Sequence, residues 1–221
     1  MDIIIGGGKY GCYAVEYLRQ SKRGFVVVDI DPECLAVERF HLKTFPVKSV
    51  TEGEYFVHGD LSEAMALIQR HAPEFIFPTA PTHIVAEMAE IKFNLIPWRE
   101  AKDSILTRLP QAVVLYSRNG KIVVSYNRDD ECLEHCSMPE TCPTSHITKP
   151  CTMIKLMRYA SPEAFILISH SMAAGMGSLK GSELAEFFAW AGTKDRFIVG
   201  TACDCHGVFS AFRKMDTQTK N

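Results

Sequence analysis

A glycine-rich loop near the amino terminus constrains the fold of this chain more than any other feature. Its sequence, Gly6-Gly7-Gly8-Lys9-Tyr10-Gly11, fits the pattern G-x-G-x-x-G. The apolar run Ile3 to Ile5 precedes the loop, and apolar residues at helical spacing follow it. Because a glycine loop between a strand and a helix typically opens a βαβ unit, the sequence predicts an α/β fold with a Rossmann-like parallel sheet and flanking helices.

An acidic residue on the second predicted strand completes the pattern. Asp29 lies near the end of the run Phe25 to Ile30, 23 residues after Gly6. In a dinucleotide site Gly6 permits the tight turn, Gly8 lets the backbone approach a pyrophosphate, and Gly11 lets the helix pack closely. Asp29 would accept hydrogen bonds from the ribose hydroxyls, which favours NAD over NADP. The alternative is a glycine-rich turn that only packs the βαβ unit.

The rest of the chain divides into two parts. Up to Pro97 predicted strands alternate with helices, as in a parallel sheet. Beyond Trp98 come a hairpin around Asn119-Gly120, a cysteine- and proline-rich stretch, and a glycine-rich loop from Met172 to Gly181. We therefore expect a Rossmann-like dinucleotide-binding domain at residues 1–98 and a smaller cysteine-rich α/β domain at residues 99–221.

The segment Ile3 to Ile30, together with His58-Gly59-Asp60, resembles the N-terminal nucleotide-binding domain of the TrkA potassium-uptake regulator family. The resemblance covers roughly residues 2–97. It implies a third strand that ends in the pair Gly59-Asp60, and it places Asp60 in the cofactor site. Members of that family bind NAD(H) or other adenine nucleotides as regulatory ligands, and similar domains occur in dehydrogenases. The second half of the chain departs from the family.

Four of the eight cysteines are close together in the second half, with the spacing C-x3-C-x5-C-x8-C. They are Cys132, Cys136, Cys142 and Cys151. Four thiolates are the ligands that a tetrahedral zinc ion or an iron–sulfur cluster requires, and we predict that these four hold one such centre. The alternatives are free cysteines, or a centre at a second group, Cys203, Cys205 and His206.

Composition limits the class of partner. The net charge is −2, from 24 basic and 26 acidic residues, and no basic run is present. This balance argues against a nucleic-acid or anionic-membrane partner. The apolar stretches are too short for a membrane span, and no signal peptide is evident, so we expect a cytoplasmic protein with reduced thiols.

Two classes of function follow from these features. The first is an NAD(H)-binding redox protein or oxidoreductase with a cysteine-ligated metal or iron–sulfur centre. The second is a regulatory nucleotide-sensing module of the TrkA type that acts on a protein partner. Both bind an adenine dinucleotide, and both are compatible with a homo-oligomer.

Overall fold

The computed structural model describes residues 1–215 of the chain. It has the predicted α/β fold, with two multi-stranded sheets and flanking helices. Two compact units divide the chain: Met1–Ile84 with His170–Ala185, and Val85–Ser169 with the residues from Glu186 on. The first unit is therefore discontinuous, and this division differs from the expected boundary between residues 98 and 99.

The bounds of the elements are as follows. The strands are β1 (Asp2–Ile5), β2 (Phe25–Asp29), β3 (Glu54–His58), β4 (Phe75–Pro78), β5 (Leu95–Pro97), β6 (Val114–Arg118), β7 (Lys121–Ser125), β8 (Phe165–Ile168), β9 (His170–Ala173), β10 (Met176–Lys180), β11 (Arg196–Ala202) and β12 (His206–Lys214). The helices are α1 (Lys9–Gln20), α2 (Leu35–Phe40), α3 (Leu61–His71), α4 (Ile84–Phe93), α5 (Arg99–Leu106), α6 (Met153–Ala160) and α7 (Gly181–Gly192).

The sheet of the first unit has the strand order β3-β2-β1-β4-β10-β9. The strands β3, β2, β1 and β4 are mutually parallel. The apolar residues of β1 and β2 are buried, as expected for strands covered on both faces. After β3 the chain returns to the other side of β1 to form β4. The carboxyl ends of these strands therefore share one edge, and the strand order reverses beside β1.

The glycine-rich segment Met172 to Gly181 is not the loop that the sequence suggested. It forms most of a hairpin, in which β10 pairs antiparallel with both β9 and β4. Gly175, at φ +77°, lies in the turn between the two strands. Leu179 is buried on β10 and pairs with Ile76. The glycines obscured the strand pattern, because two of them serve the turn and the irregular register beside it.

The sheet of the second unit has the order β6-β7-β12-β11-β8, with β5 also paired to β12. The predicted hairpin between β6 and β7 is present, and Asn119 and Gly120 both have positive φ, as that turn requires. The long strand β12 was not predicted. No helix within residues 1–215 combines the length and apolarity needed to span a membrane.

Candidate functional site

The glycine loop lies at the carboxyl edge of the first sheet, where β1 passes into α1. The ends of β2, β3 and β4 lie along the same edge. In open α/β sheets, ligands bind in the crevice outside these ends, at the point where the strand order reverses. The loop follows β1, which is the strand at that point.

Three glycines of the loop are required by the packing of the protein itself. Gly6 has φ +109°, a backbone conformation that residues other than glycine rarely adopt. A Cβ on Gly7 would overlap the sulfur of Cys34, and a Cβ on Gly11 would overlap the carbonyl oxygen of Gly6. The close approach predicted for Gly11 is therefore present, and it lets α1 pack against the end of β1.

Gly8 differs from the other three. A Cβ there would meet no atom within 4 Å, and the residue is exposed. Its φ of −75° suits any residue. Gly8 is the N-cap of the twelve-residue helix α1, and no side chain caps that end. The first turn of a helix presents backbone N–H groups and a positive dipole end, which together favour an anion.

Asp29 lies beside the loop and holds it in place. Its Oδ2 accepts a hydrogen bond from the backbone N–H of Gly7, and its Oδ1 accepts one from the backbone N–H of Asp31 at 2.8 Å. A carboxylate has about four acceptor positions, so these two bonds leave capacity for a ligand. The next residue, Ile30, is 74% exposed, which is unusual for an isoleucine beside a sheet.

Thr79 fastens the loop to the neighbouring strand, a role that the sequence analysis missed. Its hydroxyl lies 2.7 Å from the carbonyl oxygen of Gly6 and 3.0 Å from that of Ile5. Its backbone N–H also donates to Ile5. The available signal was a hydroxyl residue directly after the β4 run Phe75–Pro78, at the edge where the glycine loop was expected.

Asp60, the remaining predicted cofactor residue, caps α3. Its side chain accepts from the backbone N–H of Ser62 at 2.6 Å, and Glu63 completes a capping box by accepting from the backbone N–H of Asp60. The hydrogen bond from Ser62 lowers the pKa of Asp60. The contact of Asp60 with a cofactor stays a prediction, since helix capping already accounts for a carboxylate at this position.

The four clustered cysteines have different neighbours. Cys132 lies 3.2 Å from His206 Nε2, and Cys151 lies 3.7 Å from the hydroxyl of Tyr126. The sulfur of Cys136 accepts a hydrogen bond from the backbone N–H of Met138. The sulfur of Cys142 contacts the hydroxyl of Thr144 within the same turn. Within residues 1–215, no group of three or more His, Cys, Asp or Glu side chains is arranged to hold a metal ion. The four-cysteine centre therefore stays a prediction.

The pKa values of several thiols are shifted, in directions that depend on their surroundings. Cys12 and Cys34 are buried in the first unit, and burial raises the pKa of both. Burial also raises the pKa of Cys205, although Lys149 Nζ lies 3.3 Å from its sulfur and opposes that shift. At Cys142, slight burial is outweighed by hydrogen bonds from Ser145 and Thr144, which lower the pKa to about 7.

Comparison with known proteins identifies relatives of the whole chain. Residues 1–84 match a family model described as "Uncharacterized protein, N-terminal domain", and residues 63–215 match its counterpart, "Uncharacterized protein, C-terminal domain". A protein of Archaeoglobus fulgidus, described as "Uncharacterized protein", is 44% identical over 215 residues, which are 97% of this chain and 100% of the relative. No solved structure matches the chain. The chain belongs to the two-domain family that these models define.

Proposed function

We propose that this member of the two-domain family binds NAD(H) at the glycine loop between β1 and α1. The observation that carries the proposal is the open space beside Gly8, where a Cβ would meet nothing within 4 Å. Packing explains the absence of a side chain at Gly6, Gly7 and Gly11 but not at Gly8. A ligand that lies against the backbone would explain it, and the uncapped end of α1 favours a phosphate group there.

Asp29 and Ile30 would contact the nucleoside part of the ligand. The free acceptor positions of Asp29 suit ribose hydroxyls, and its negative charge disfavours a 2′-phosphate. Ile30 offers an exposed apolar surface next to that carboxylate, on which an adenine ring would lose contact with water. The parallel order β3-β2-β1-β4 also corresponds to the first four strands of the order 3-2-1-4-5-6 of dinucleotide-binding sheets.

Substitution of Gly8 tests the proposal without disturbing the fold. Since φ at Gly8 is −75° and the space beside it is open, Gly8→Ala and Gly8→Val should fold normally, with a stability loss below about 1 kcal/mol. Both should weaken NADH binding, the valine more than the alanine, by at least about tenfold, or about 1.4 kcal/mol. Calorimetric titration with NADH measures the affinity, and thermal unfolding monitors the fold.

Gly192→Ala provides the matched control, because a Cβ at Gly192 meets only Phe93 Cε1, at an ordinary 3.9 Å. It should leave NADH binding unchanged. Wild-type affinity in the Gly8→Val protein, or no binding of NADH or NAD by the unmodified chain, would remove the glycine loop as a dinucleotide site.

Asp29→Asn tests the ribose contact separately. The amide keeps one acceptor oxygen but removes the charge that repels a 2′-phosphate. We expect the preference for NAD over NADP to fall, chiefly through weaker NAD binding. An unchanged ratio of the two dissociation constants would show that Asp29 serves the loop alone.

We favour an oxidoreductase over a nucleotide sensor, because two thiols of the second unit, those of Cys132 and Cys203, lie close to His206. The cofactor would supply hydride transfer, while the loop residues of the first unit bind and orient it. Oxidation of NADH by the purified protein with an artificial electron acceptor tests this choice. Tight NADH binding without any acceptor-dependent oxidation would favour the sensor. Elemental analysis of protein prepared without oxygen tests the predicted metal centre.

A further inference from the structure

A pocket in the second unit lies between the start of α5 and the carboxyl-terminal ends of β5 and β12. Its volume is about 390 Å³, which is within the range of small-molecule pockets. The residues that line it are Ile96, Pro97, Arg99, Glu100 and Arg213. Two of these side chains are apolar, two are cationic and one is anionic, so one ligand could meet all three kinds of surface.

The register of the second sheet brings the lining residues together. Arg213 on β12 pairs with Ile96 on β5, and on its other side it pairs with Arg196 on β11. Residues that are directly opposite in antiparallel strands lie on the same face of the sheet. The chain leaves β5 at Pro97 and enters α5 at Arg99, which lines the pocket together with Arg213. Tertiary structure therefore creates the pocket, and no local motif announces it.

The three charged side chains of the pocket are not paired with one another. Within residues 1–215, the side chains of Arg99, Glu100 and Arg213 form no hydrogen bond or ion pair. On the same helix, by contrast, Lys102 Nζ lies 2.8 Å from a carboxylate oxygen of Asp103. Both signs of charge in the pocket therefore remain available to a ligand.

Arg213 occupies an electrostatically unfavourable position. It lies directly opposite Arg196, and like charges in this arrangement destabilise an antiparallel pair. Arg196 has a partner, because its guanidinium carbon lies 4.7 Å from the centre of the Trp98 ring. Arg213 has no such partner in the described part of the chain. A bound anion beside Arg213 would offset the repulsion.

We propose that this pocket binds a small apolar amino acid. The carboxylate of the ligand pairs with Arg99 and Arg213, whose planar guanidinium groups match its geometry. The ammonium group pairs with Glu100, and the apolar side chain covers Ile96 and Pro97. The site lies wholly within the second unit and does not depend on dinucleotide binding by the first.

Three ligands with one carbon skeleton test this assignment on the full chain. L-leucine carries both charges, isocaproate lacks the ammonium group, and isoamylamine lacks the carboxylate. Calorimetric titration at neutral pH measures each dissociation constant. We expect leucine to bind about tenfold more tightly than either analogue, because each analogue loses one charge-assisted interaction. Equal affinities of leucine and isocaproate, no binding of leucine at millimolar concentration, or equally tight binding of inorganic phosphate would overturn the proposal.

Two variants assign the charges to their residues. Arg213→Gln should weaken the binding of leucine and isocaproate about tenfold and leave isoamylamine unchanged. Glu100→Gln should remove the preference for leucine over isocaproate. Arg158→Gln is the matched control, because Arg158 is an exposed arginine on α6 that does not line the pocket. It should leave all three affinities unchanged.

Thermal unfolding without ligand separates a loss of binding from a loss of fold. Because Arg213→Gln removes the repulsion with Arg196, its melting temperature should be no lower than that of the wild type. Wild-type affinity for leucine in Arg213→Gln would overturn the proposal. A preference for leucine over isocaproate that survives in Glu100→Gln would also overturn it, since the ammonium group would then bind elsewhere.

Discussion

Glycine occurs at four positions of the first loop for different physical reasons. Gly6 is fixed by its positive φ, and Gly7 and Gly11 by neighbouring atoms, whereas Gly8 has open space. The sequence pattern predicted the turn at Gly6 and the close packing at Gly11. It could not show the sulfur of Cys34 against Gly7 or the hydroxyl of Thr79 on the loop. Such contacts depend on how distant segments meet.

Substitution of Gly11, unlike substitution of Gly8, should destabilise the fold. A Cβ at Gly11 overlaps a backbone oxygen, which cannot move aside as a flexible side chain would. We expect Gly11→Ala to lower the free energy of unfolding by about 1–3 kcal/mol, as overpacked sites do. Urea denaturation measures this loss, with Gly8→Ala as the comparison. Equal stability of the two variants would contradict the distinction drawn between these glycines.

At the level of elements, the first half of the chain was the more predictable. The strands β1 to β4 are short, largely apolar segments that alternate with helices, and local patterns identify such elements. The hairpin of β9 and β10 was missed because Gly175 and Gly177 resemble a loop, while its pairing partner β4 is about a hundred residues earlier. In the cysteine-rich stretch, sequence spacing did not indicate that Cys132 meets His206.

The cap of α3 gives a pH-dependent prediction. Hydrogen bonds lower the pKa of Asp60 below its ordinary value of 3.8, and the largest contribution comes from the backbone N–H of Ser62. The resulting stabilisation is fully present when the pH is above the pKa that Asp60 has in the unfolded chain. It is lost as the pH falls through the lower pKa that Asp60 has in the folded protein. Asp60→Asn keeps an acceptor but removes the charge. Its melting temperature should therefore be below that of the wild type at neutral pH.

This difference in melting temperature should disappear in acid, where the wild-type carboxyl is also uncharged. Thermal unfolding followed by circular dichroism over a series of pH values measures it. Asp130→Asn, which changes an exposed carboxylate outside the helices, serves as the control for net charge. A difference that is the same at neutral and acid pH would assign the effect to something other than the charge on the cap.

At the scale of the whole molecule, the first unit is assembled from two separated segments. The family model for the N-terminal domain ends at residue 84, where the first of these segments also ends. The second segment, His170–Ala185, contributes β9 and β10 to the same sheet. A sequence-based boundary near residue 98 misses this arrangement, because periodicity locates elements along the chain but does not say which sheet they join.

A fragment of residues 1–98 should therefore be incomplete. Without β10, the strand β4 becomes an edge with unpaired backbone groups, and the surface that covers Leu179 is exposed. We expect this fragment to unfold at lower urea concentration than residues 1–84 joined by a glycine–serine linker to residues 170–185. Leu179→Asp in the linked protein, which places a charge at a buried position, should remove the advantage. If the fragment 1–98 is as stable as the linked protein, the hairpin is dispensable and the unit is complete without it.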